Sequence, residues 1–188
     1  LGADSVAVDG GRENKQYSFS QSGVWSATVI YSPIFVEQRA TVGGCDLGLF
    51  VREGSEVWAG RLLNYASEAY DYYTEEFTAL GVARLDVVLG AAEYEPGVYT
   101  PRIAVIKDET DRMLEEYGGV FTANYLRWQS AVNVAEVLVG SRVVQQPDAV
   151  PWLREGLTLN ITERFARESL LGGPVFDNIR QFYLNAAT

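Results

Sequence analysis

The chain has 188 residues, 47% of them hydrophobic and 12% aromatic, so it can bury the core of one domain or of joined parts of two. Its formal net charge is −10, from 25 acidic and 15 basic residues, which argues against nucleic-acid binding because phosphate contacts require clustered Lys and Arg. With no histidine and one cysteine, Cys45, the sequence excludes Ser-His-Asp and Cys-His triads, imidazole-dependent zinc sites and an intrachain disulfide.

The sequence also bears on membrane insertion and targeting. No run of about 18 or more apolar residues is present, so no transmembrane segment is predicted. The start, LGADSVAVDGG, lacks the basic and apolar regions of a signal peptide, and we interpret it as a processed or cut end. The compartment and any neighbouring domains are therefore left open by the sequence.

The first part of the chain has the residue pattern of β-strands. Residues 1–16 are rich in Gly and charge and predict a loose lead-in. Residues 17–50 contain four alternating runs rich in β-branched and aromatic side chains, namely YSFSQSG, WSATVIYSP, FVEQRATVGG and CDLGLFV. Gly43 and Gly44 predict a hairpin turn. We therefore expect residues 1–53 to be a strand-rich segment, the end of an N-terminal β-domain.

The hydrophobic period changes in SEVWAGRLLNYASEAYDYYTEEF, residues 55–77. Apolar and aromatic residues recur there at three- and four-residue steps, with polar residues on the opposite face, which is typical of an amphipathic helix. Ser55 is placed to cap its N-terminus. The aromatic stripe of this helix is open to two interpretations, a ligand-binding box or core packing, and core packing is favoured.

Two strands and several helices are predicted downstream. ARLDVVLGAA (83–92) and RIAVIK (102–107) have the pattern of strands on either side of the turn-rich EYEPGVYTP. The final GPVFDNIRQFYLNAAT is expected to be helical. Three helices are predicted before it. The first covers about residues 108–117 and ends at Gly118-Gly119. The second covers about 121–143, and the third covers about 152–169 with Pro151 in its first turn.

Two motifs in these helices carry a resemblance to a known family. In NVAEVLVGSRVVQQPDAVPWLREGLT, residues 133–158, AEVLV lies on one predicted helix and WLREGLT on the next. This order resembles the gluzincin zinc aminopeptidases, the alanyl-aminopeptidase and leukotriene-hydrolase family, which carry HExxH on one helix and a third zinc ligand in a following W-L-N-E-G-F-A-like helix. The upstream strands, the long helix and LDVVLG extend the resemblance over most of residues 17–170.

The resemblance implies an α+β fold in which residues 54–188 form a partial thermolysin-like (zincin-like) domain, with a small mixed sheet and several helices. The transition-state tyrosine of the family lies well downstream of the third zinc ligand. Its position would fall beyond Thr188, so we expect the zincin-like part to be truncated.

At the family's zinc-site positions, this sequence lacks the zinc-binding histidines. Ala135 and Val139 stand at the two histidine positions, where i, i+4 spacing lets two imidazoles converge on a metal. Glu136 matches the general base that takes a proton from zinc-bound water, and Glu155 matches the third ligand. Without a metal to lower the pKa of a bound water, Glu136 has no activated nucleophile to generate. The resemblance therefore implies a pseudo-peptidase with no cofactor, and zinc is expected to be absent.

Both glutamates have alternative interpretations. Glu136 is interpreted as a surviving base, as a polar residue lining a vestigial cleft, or as a surface residue, and the second interpretation is favoured. Glu155 either helps Glu136 to bind a hard cation such as Ca²⁺ or Mg²⁺, or pairs with a basic residue. Arg142 and Arg154 are the candidates for that pairing, which is the favoured reading.

The substrate-binding strand of the family is altered as well. In EYEPGVYTPRIAVI, Gly97 is not followed by Met-Glu-Asn, so the glutamate that grips the substrate's amino group is not evident. Tyr94, Tyr99 and Arg102 are candidate peptide contacts because exposed Tyr and Arg often anchor interfaces, although simple turn packing is the favoured alternative. By analogy with the family, an exposed strand edge here is expected to add a peptide strand.

Three functions are consistent with these residues. The first is a non-catalytic, peptidase-like scaffold or binding module in a larger protein, whose partner is a peptide, a protein or another domain of the same chain. The second is a divergent metallopeptidase or other hydrolase that uses Glu136 and Glu155, as glycosidases use two carboxylates. The third is a structural fragment. Bacterial relatives of the family are sometimes attached to membrane proteins. The resemblance therefore also implies a membrane-tethered or extracytoplasmic location for this chain.

Overall fold

The computed structural model describes the following parts of the chain: residues 5–9, 16–20, 35–54, 56–77, 81–90, 103–108, 110–142, 152–170, 177 and 181. The strands are β1 (Ser5–Asp9), β2 (Gln16–Ser20), β3 (Phe35–Val42), β4 (Cys45–Arg52), β5 (Arg84–Gly90) and β6 (Ile103–Lys107). The helices are α1 (Glu56–Glu76), α2 (Thr110–Arg142) and α3 (Trp152–Phe165), and α3 continues into a π-helical turn (Ala166–Leu170).

Strands β3 to β6 form a four-stranded mixed sheet in the order β3-β4-β5-β6. The β3-β4 pair is antiparallel, whereas β4-β5 and β5-β6 are parallel. Gly43 and Gly44 close the antiparallel pair with φ of 54° and 81°, and positive φ at both central residues is typical of a two-residue hairpin turn. The predicted turn is therefore confirmed, and a mixed sheet with helices confirms the α+β class.

The N-terminal residues differ from the sequence prediction. β1 pairs with β2 in a separate antiparallel sheet, residue for residue from Ser5↔Ser20 to Asp9↔Gln16. The prediction of a loose lead-in is therefore wrong for β1, because the short SVAVD run alternates as a strand despite its Gly- and charge-rich flanks. The predicted strand in WSATVIYSP lies outside the described residues.

The four-stranded sheet takes strands from both sides of residue 53, where the sequence places a domain boundary. β4 ends at Arg52 and pairs in parallel with β5, which follows α1. Parallel neighbours need a crossover connection, and α1 supplies it. The division into residues 1–53 and 54–188 stays a prediction.

Helix α1 matches the predicted amphipathic helix closely. In its predicted aromatic stripe Tyr73 is fully buried, and four further aromatic side chains are partly buried against the core, so the core-packing interpretation is confirmed; they are Trp58, Tyr65, Tyr72 and Phe77. Tyr70, which the prediction did not include, is buried as well. The Tyr70 hydroxyl accepts a hydrogen bond from the Val82 N–H at 3.1 Å and lies 2.9 Å from the Val82 carbonyl, which ties α1 to the start of β5. The predicted cap at Ser55 lies outside the described residues.

Helix α2 combines the two helices that the sequence predicts over residues 108–143. The backbone is non-helical at Gly118, with φ 76° and ψ 170°, so the predicted interruption at Gly118-Gly119 is confirmed as a break within one long element. The Thr122 hydroxyl donates to the Gly118 carbonyl at 2.9 Å across this break. Helix α3 and its π-helical turn cover the helix predicted over residues 152–169, and of the final segment only Asp177 and Gln181 are described, both helical.

The core lies between one face of the four-stranded sheet and the helices. Alternate residues of β4 and β5 point into it. Helices α1 and α2 pack against the sheet, and α3 packs against α1 and α2. Within the described part of the chain, no helix is both long and apolar enough to cross a membrane. The main core side chains from the sheet and helices are Leu47, Leu49, Leu85, Leu89, Leu62, Leu126, Leu138 and Phe165.

Candidate functional site

The two predicted zinc-histidine positions lie inside the hydrophobic core. Ala135 is 0% exposed and Val139 is 3% exposed, and both belong to the main cluster of buried apolar residues. They are one turn apart on α2, as the sequence predicts, so they share a face of the helix. That face packs against apolar neighbours, and neither side chain can coordinate a metal.

Aromatic side chains from α1 and α3 pack beside this stretch of α2. The Tyr73 hydroxyl donates to the carbonyl of Ala131, one turn before Ala135, at 3.2 Å. The rings of Tyr73 and Phe165 have centroids 5.7 Å apart. Burial raises the pKa of Tyr73, so its phenol stays neutral. These contacts make the junction of the three helices a packed core region.

Glu136 lies at the margin of this core. Its side chain is half-buried and engaged in an interaction within the structure. Gly140 is one turn further along the same side of α2, and a Cβ built at Gly140 would lie 3.9 Å from Cδ of Arg154 on α3. The side of α2 that carries Glu136 therefore also contacts, one turn further along, the aliphatic part of the Arg154 side chain.

Glu155, which the resemblance places at the third ligand position, is exposed near the start of α3. Glu136 is half-buried, so the structure does not place the two carboxylates in one buried site. Of the two arginines predicted as partners for Glu155, Arg142 donates to the Gly81 carbonyl at 2.9 Å, and Arg154 packs over Gly140. The candidate peptide contacts Tyr94, Tyr99 and Arg102 lie outside the described residues.

A charged cluster that the sequence did not predict lies on the face of the four-stranded sheet that points away from the hydrophobic core. Asp86 on β5 is 1% exposed, which makes it the most deeply buried charged residue of the described part. Arg84 Nε and Nη2 lie 3.1 and 3.0 Å from Asp86 Oδ2, and Arg39 Nη2 lies 3.7 Å from Oδ1. Arg39 also donates to Asp46 at 2.8 Å and pairs with Glu37. A buried carboxylate is stable only with such partners.

Gly48 makes the contact between Arg39 and Asp86 possible. The three residues are in register across β3, β4 and β5. A Cβ at Gly48 would lie 2.6 Å from Asp86 Oδ1 and 3.2 Å from Arg39 Nη1, so a side chain there would occupy the space of both charged groups. The only sequence signal for the cluster is one acidic residue inside the apolar run RLDVVLG of β5.

The charged cluster fits a structural role better than a catalytic one. Its three carboxylates are already engaged by two guanidinium groups, and these ion pairs link β3, β4 and β5. Among the residues that the structure describes, no group of three or more His, Cys, Asp or Glu side chains is arranged to hold a metal ion.

The comparisons with known proteins add no family assignment. No family model matches the sequence, and no curated protein matches it.

Proposed function

We propose that this chain is a non-catalytic, peptidase-like domain of the zinc aminopeptidase lineage that acts as a scaffold or as a protein- or peptide-binding module. The burial of Ala135 and Val139 is the observation that carries this proposal. These are the positions at which the resemblance places the two zinc-binding histidines, and apolar packing fills them.

The chemistry of zinc peptidases explains why this burial matters. A catalytic zinc site needs three protein ligands around a metal and an open position for water. Here two ligand positions are apolar and buried, and the third, Glu155, is exposed. Glu136 is then a carboxylate without a metal-bound water to deprotonate, and its half-buried position is compatible with the margin of a vestigial cleft.

The edge of the sheet supports a binding role. β6 is the last strand in the order β3-β4-β5-β6 of the described part. An edge strand offers backbone N–H and C=O groups to an added peptide strand, which is the mode that the resemblance implies. Tyr99 and Arg102 immediately precede β6 in sequence and are the side chains proposed to contact the peptide. The partner is a peptide, a protein or another domain of the same chain, and membrane tethering through other segments is part of the proposal.

Metal content and peptidase activity test the loss of catalysis. Protein purified from zinc-supplemented cells is expected to contain far less than one zinc per chain by elemental mass spectrometry. It is also expected to leave alanine and leucine anilides intact. Stoichiometric zinc would overturn the proposal. Anilide hydrolysis that both Glu136→Gln and Glu155→Gln abolish would establish the alternative, a hydrolase that uses these carboxylates.

Peptide binding tests the positive part of the proposal. A fluorescein-labelled, β-prone pentapeptide is added to the whole chain, and fluorescence anisotropy is measured. Binding is expected to weaken several-fold in Tyr99→Ala and Arg102→Ala, because interface Tyr and Arg often carry much of the binding energy. Glu136→Gln is the matched control and is expected to bind as the parent does. Equal binding by all four proteins would argue against a site beside β6.

A further inference from the structure

Strand β3 forms a long, regular edge of the four-stranded sheet. Within the part of the chain that the structure describes, its only strand neighbour is β4. The two strands pair without interruption over eight residues, from Phe35↔Arg52 to Val42↔Cys45. β3 contains neither a proline nor a bulge, which are common devices that prevent an edge from pairing. A strand of this kind is a template for a further antiparallel strand.

The hairpin geometry identifies which backbone groups point outward. In a two-residue hairpin the residues that flank the turn, Val42 and Cys45, form a hydrogen-bonded pair. Alternation then directs the N–H and C=O groups of even-numbered β3 residues toward β4. The outward donors and acceptors belong to Phe35, Glu37, Arg39 and Thr41.

The charges on the side chains of Glu37 and Arg39 favour one partner, a second copy of β3, and one register of pairing. Glu37 and Arg39 flank Gln38 and are 46% and 33% exposed at their side chains. If a second copy of β3 pairs antiparallel about a two-fold axis at Gln38, each Glu37 lies opposite Arg39 of the second copy. Moving the axis to Glu37 or Arg39 would place like charges directly opposite each other, which is destabilising.

The remaining pairs agree with the same register. It sets Val36 opposite Ala40 of the second copy on the core side, and both residues already pack against the hydrophobic core. In this register the outward N–H and C=O groups of each copy meet those of the other, because Phe35 pairs with Thr41 and Glu37 pairs with Arg39. Contacts with Asp46, Asp86 and Gly48 hold the Arg39 guanidinium over β4, so its charge lies on the face of the sheet opposite the core before association.

We propose that two copies of this chain associate through β3, antiparallel and centred on Gln38, so that two four-stranded sheets become one continuous sheet. This pairing is independent of the proposed binding function, which uses the opposite edge at β6. The area buried is that of one strand pair, so the association is expected to depend on protein concentration.

A disulfide cross-link tests the register directly. On the two-fold axis, the two Gln38 residues form a non-hydrogen-bonded pair with Cα atoms about 4.5 Å apart, within the range that a disulfide spans. Gln38→Cys is therefore expected to give a covalent dimer under mild oxidation. Thr41→Cys is the matched control: its two copies would lie six residues apart along the strands, roughly 20 Å, and no cross-link is expected. Cys45 is buried and common to both variants.

Sedimentation of the whole chain tests the charge argument. The parent mass is expected to rise with concentration from 20.8 kDa toward twice that value. Glu37→Arg places arginines opposite each other and is expected to weaken dimerisation at least tenfold. Glu75→Arg makes the same charge change on an exposed face of α1 and is expected to leave dimerisation unchanged.

Three results would overturn the proposal. They are a mass of 20.8 kDa at every concentration, equal cross-linking of the two cysteine variants, and equal effects of the two arginine variants. The first is also the result expected if another segment, such as residues 21–34, pairs with β3. Circular dichroism of each variant verifies that it is folded.

Discussion

Replacing Gly48 by alanine should selectively disrupt the buried charge cluster. The new Cβ would lie 2.6 Å from Asp86 Oδ1, a distance that real Cβ atoms essentially never show, and 3.2 Å from Arg39 Nη1. Arg39 is long and partly exposed, so it can move away. The Asp86 side chain is short and 1% exposed, so it has little room to move. The expected result is separation of Arg39 from Asp86.

The size of the stability change in Gly48→Ala depends on which ion-pair partners Asp86 keeps and which it loses. Removing the whole partner of a buried ion pair costs roughly 3–5 kcal/mol. Asp86 keeps Arg84 at 3.0 Å, so only part of that penalty applies. Alanine also restricts the unfolded chain more than glycine does, which offsets about 0.4–1 kcal/mol. We expect Gly48→Ala to lower the free energy of unfolding by about 1–3 kcal/mol, a Tm decrease of roughly 2–12 °C for a domain of this size.

Urea unfolding followed by circular dichroism measures this change. Gly60→Ala is the matched control, because Gly60 is exposed within α1 and its Cβ would have no heavy atom within 4 Å. That substitution is expected to leave stability unchanged or to raise it by up to about 1 kcal/mol, since alanine favours a helix. The reasoning is refuted if Gly48→Ala is as stable as the parent, or if Gly60→Ala is equally destabilised.

Three further predictions concern the core, the break in α2 and the alkaline limit. Ala135→His, which places a histidine where the resemblance implies a zinc ligand, is expected to lower the free energy of unfolding by roughly 2–4 kcal/mol, because it adds volume and a polar ring to a buried position. Urea unfolding with and without zinc measures this change. Gly118→Ala is expected to cost about 1–2 kcal/mol because φ there is 76°, whereas Gly119→Ala should be neutral or stabilising, and a loss of stability only at Gly119 would contradict this. Burial raises the pKa of Cys45 from its ordinary 9.0 to about 11 and that of Tyr72 from 10.0 to about 12, so the neutral forms are favoured in the fold. Their contribution to stability is therefore full below about pH 9 and is lost as the pH rises toward 11–12. Unfolding curves between pH 8 and 11 measure this loss. The midpoint is expected to fall with pH in the parent and to fall less steeply in Cys45→Ala.

Local sequence patterns predicted most of the described elements. The three- and four-residue repeat before Phe77 identified α1, and the alternating runs around Gly43-Gly44 identified β3 and β4. The paired glycines at residues 118–119 also marked the break in α2. These features depend on interactions over a few residues, so a single sequence contains their signal. The strand β1 was missed because its run is short and its pairing with β2 is tertiary information.

The charged cluster could not be found in this way, because its members come from separate strands. Asp86 meets Arg39 only after β3, β4 and β5 are in register, and Gly48 matters only because it lies between them. In the sequence, the same glycine is one more small residue in an apolar strand. Its role appears only when the distances across the sheet are known.

The positions at which the resemblance places the zinc-binding histidines differ from this case, because the apolar character of both residues is already visible in the sequence. Ala135 and Val139 are apolar, and the structure buries both of them. Building a zinc site at these positions would require more than two substitutions. Each imidazole would need room and hydrogen-bond partners inside an apolar core, and Glu155 would have to turn from solvent toward α2. A double variant, Ala135→His with Val139→His, is therefore expected to lose stability without gaining zinc, and tight zinc binding by the folded variant would contradict the packing argument.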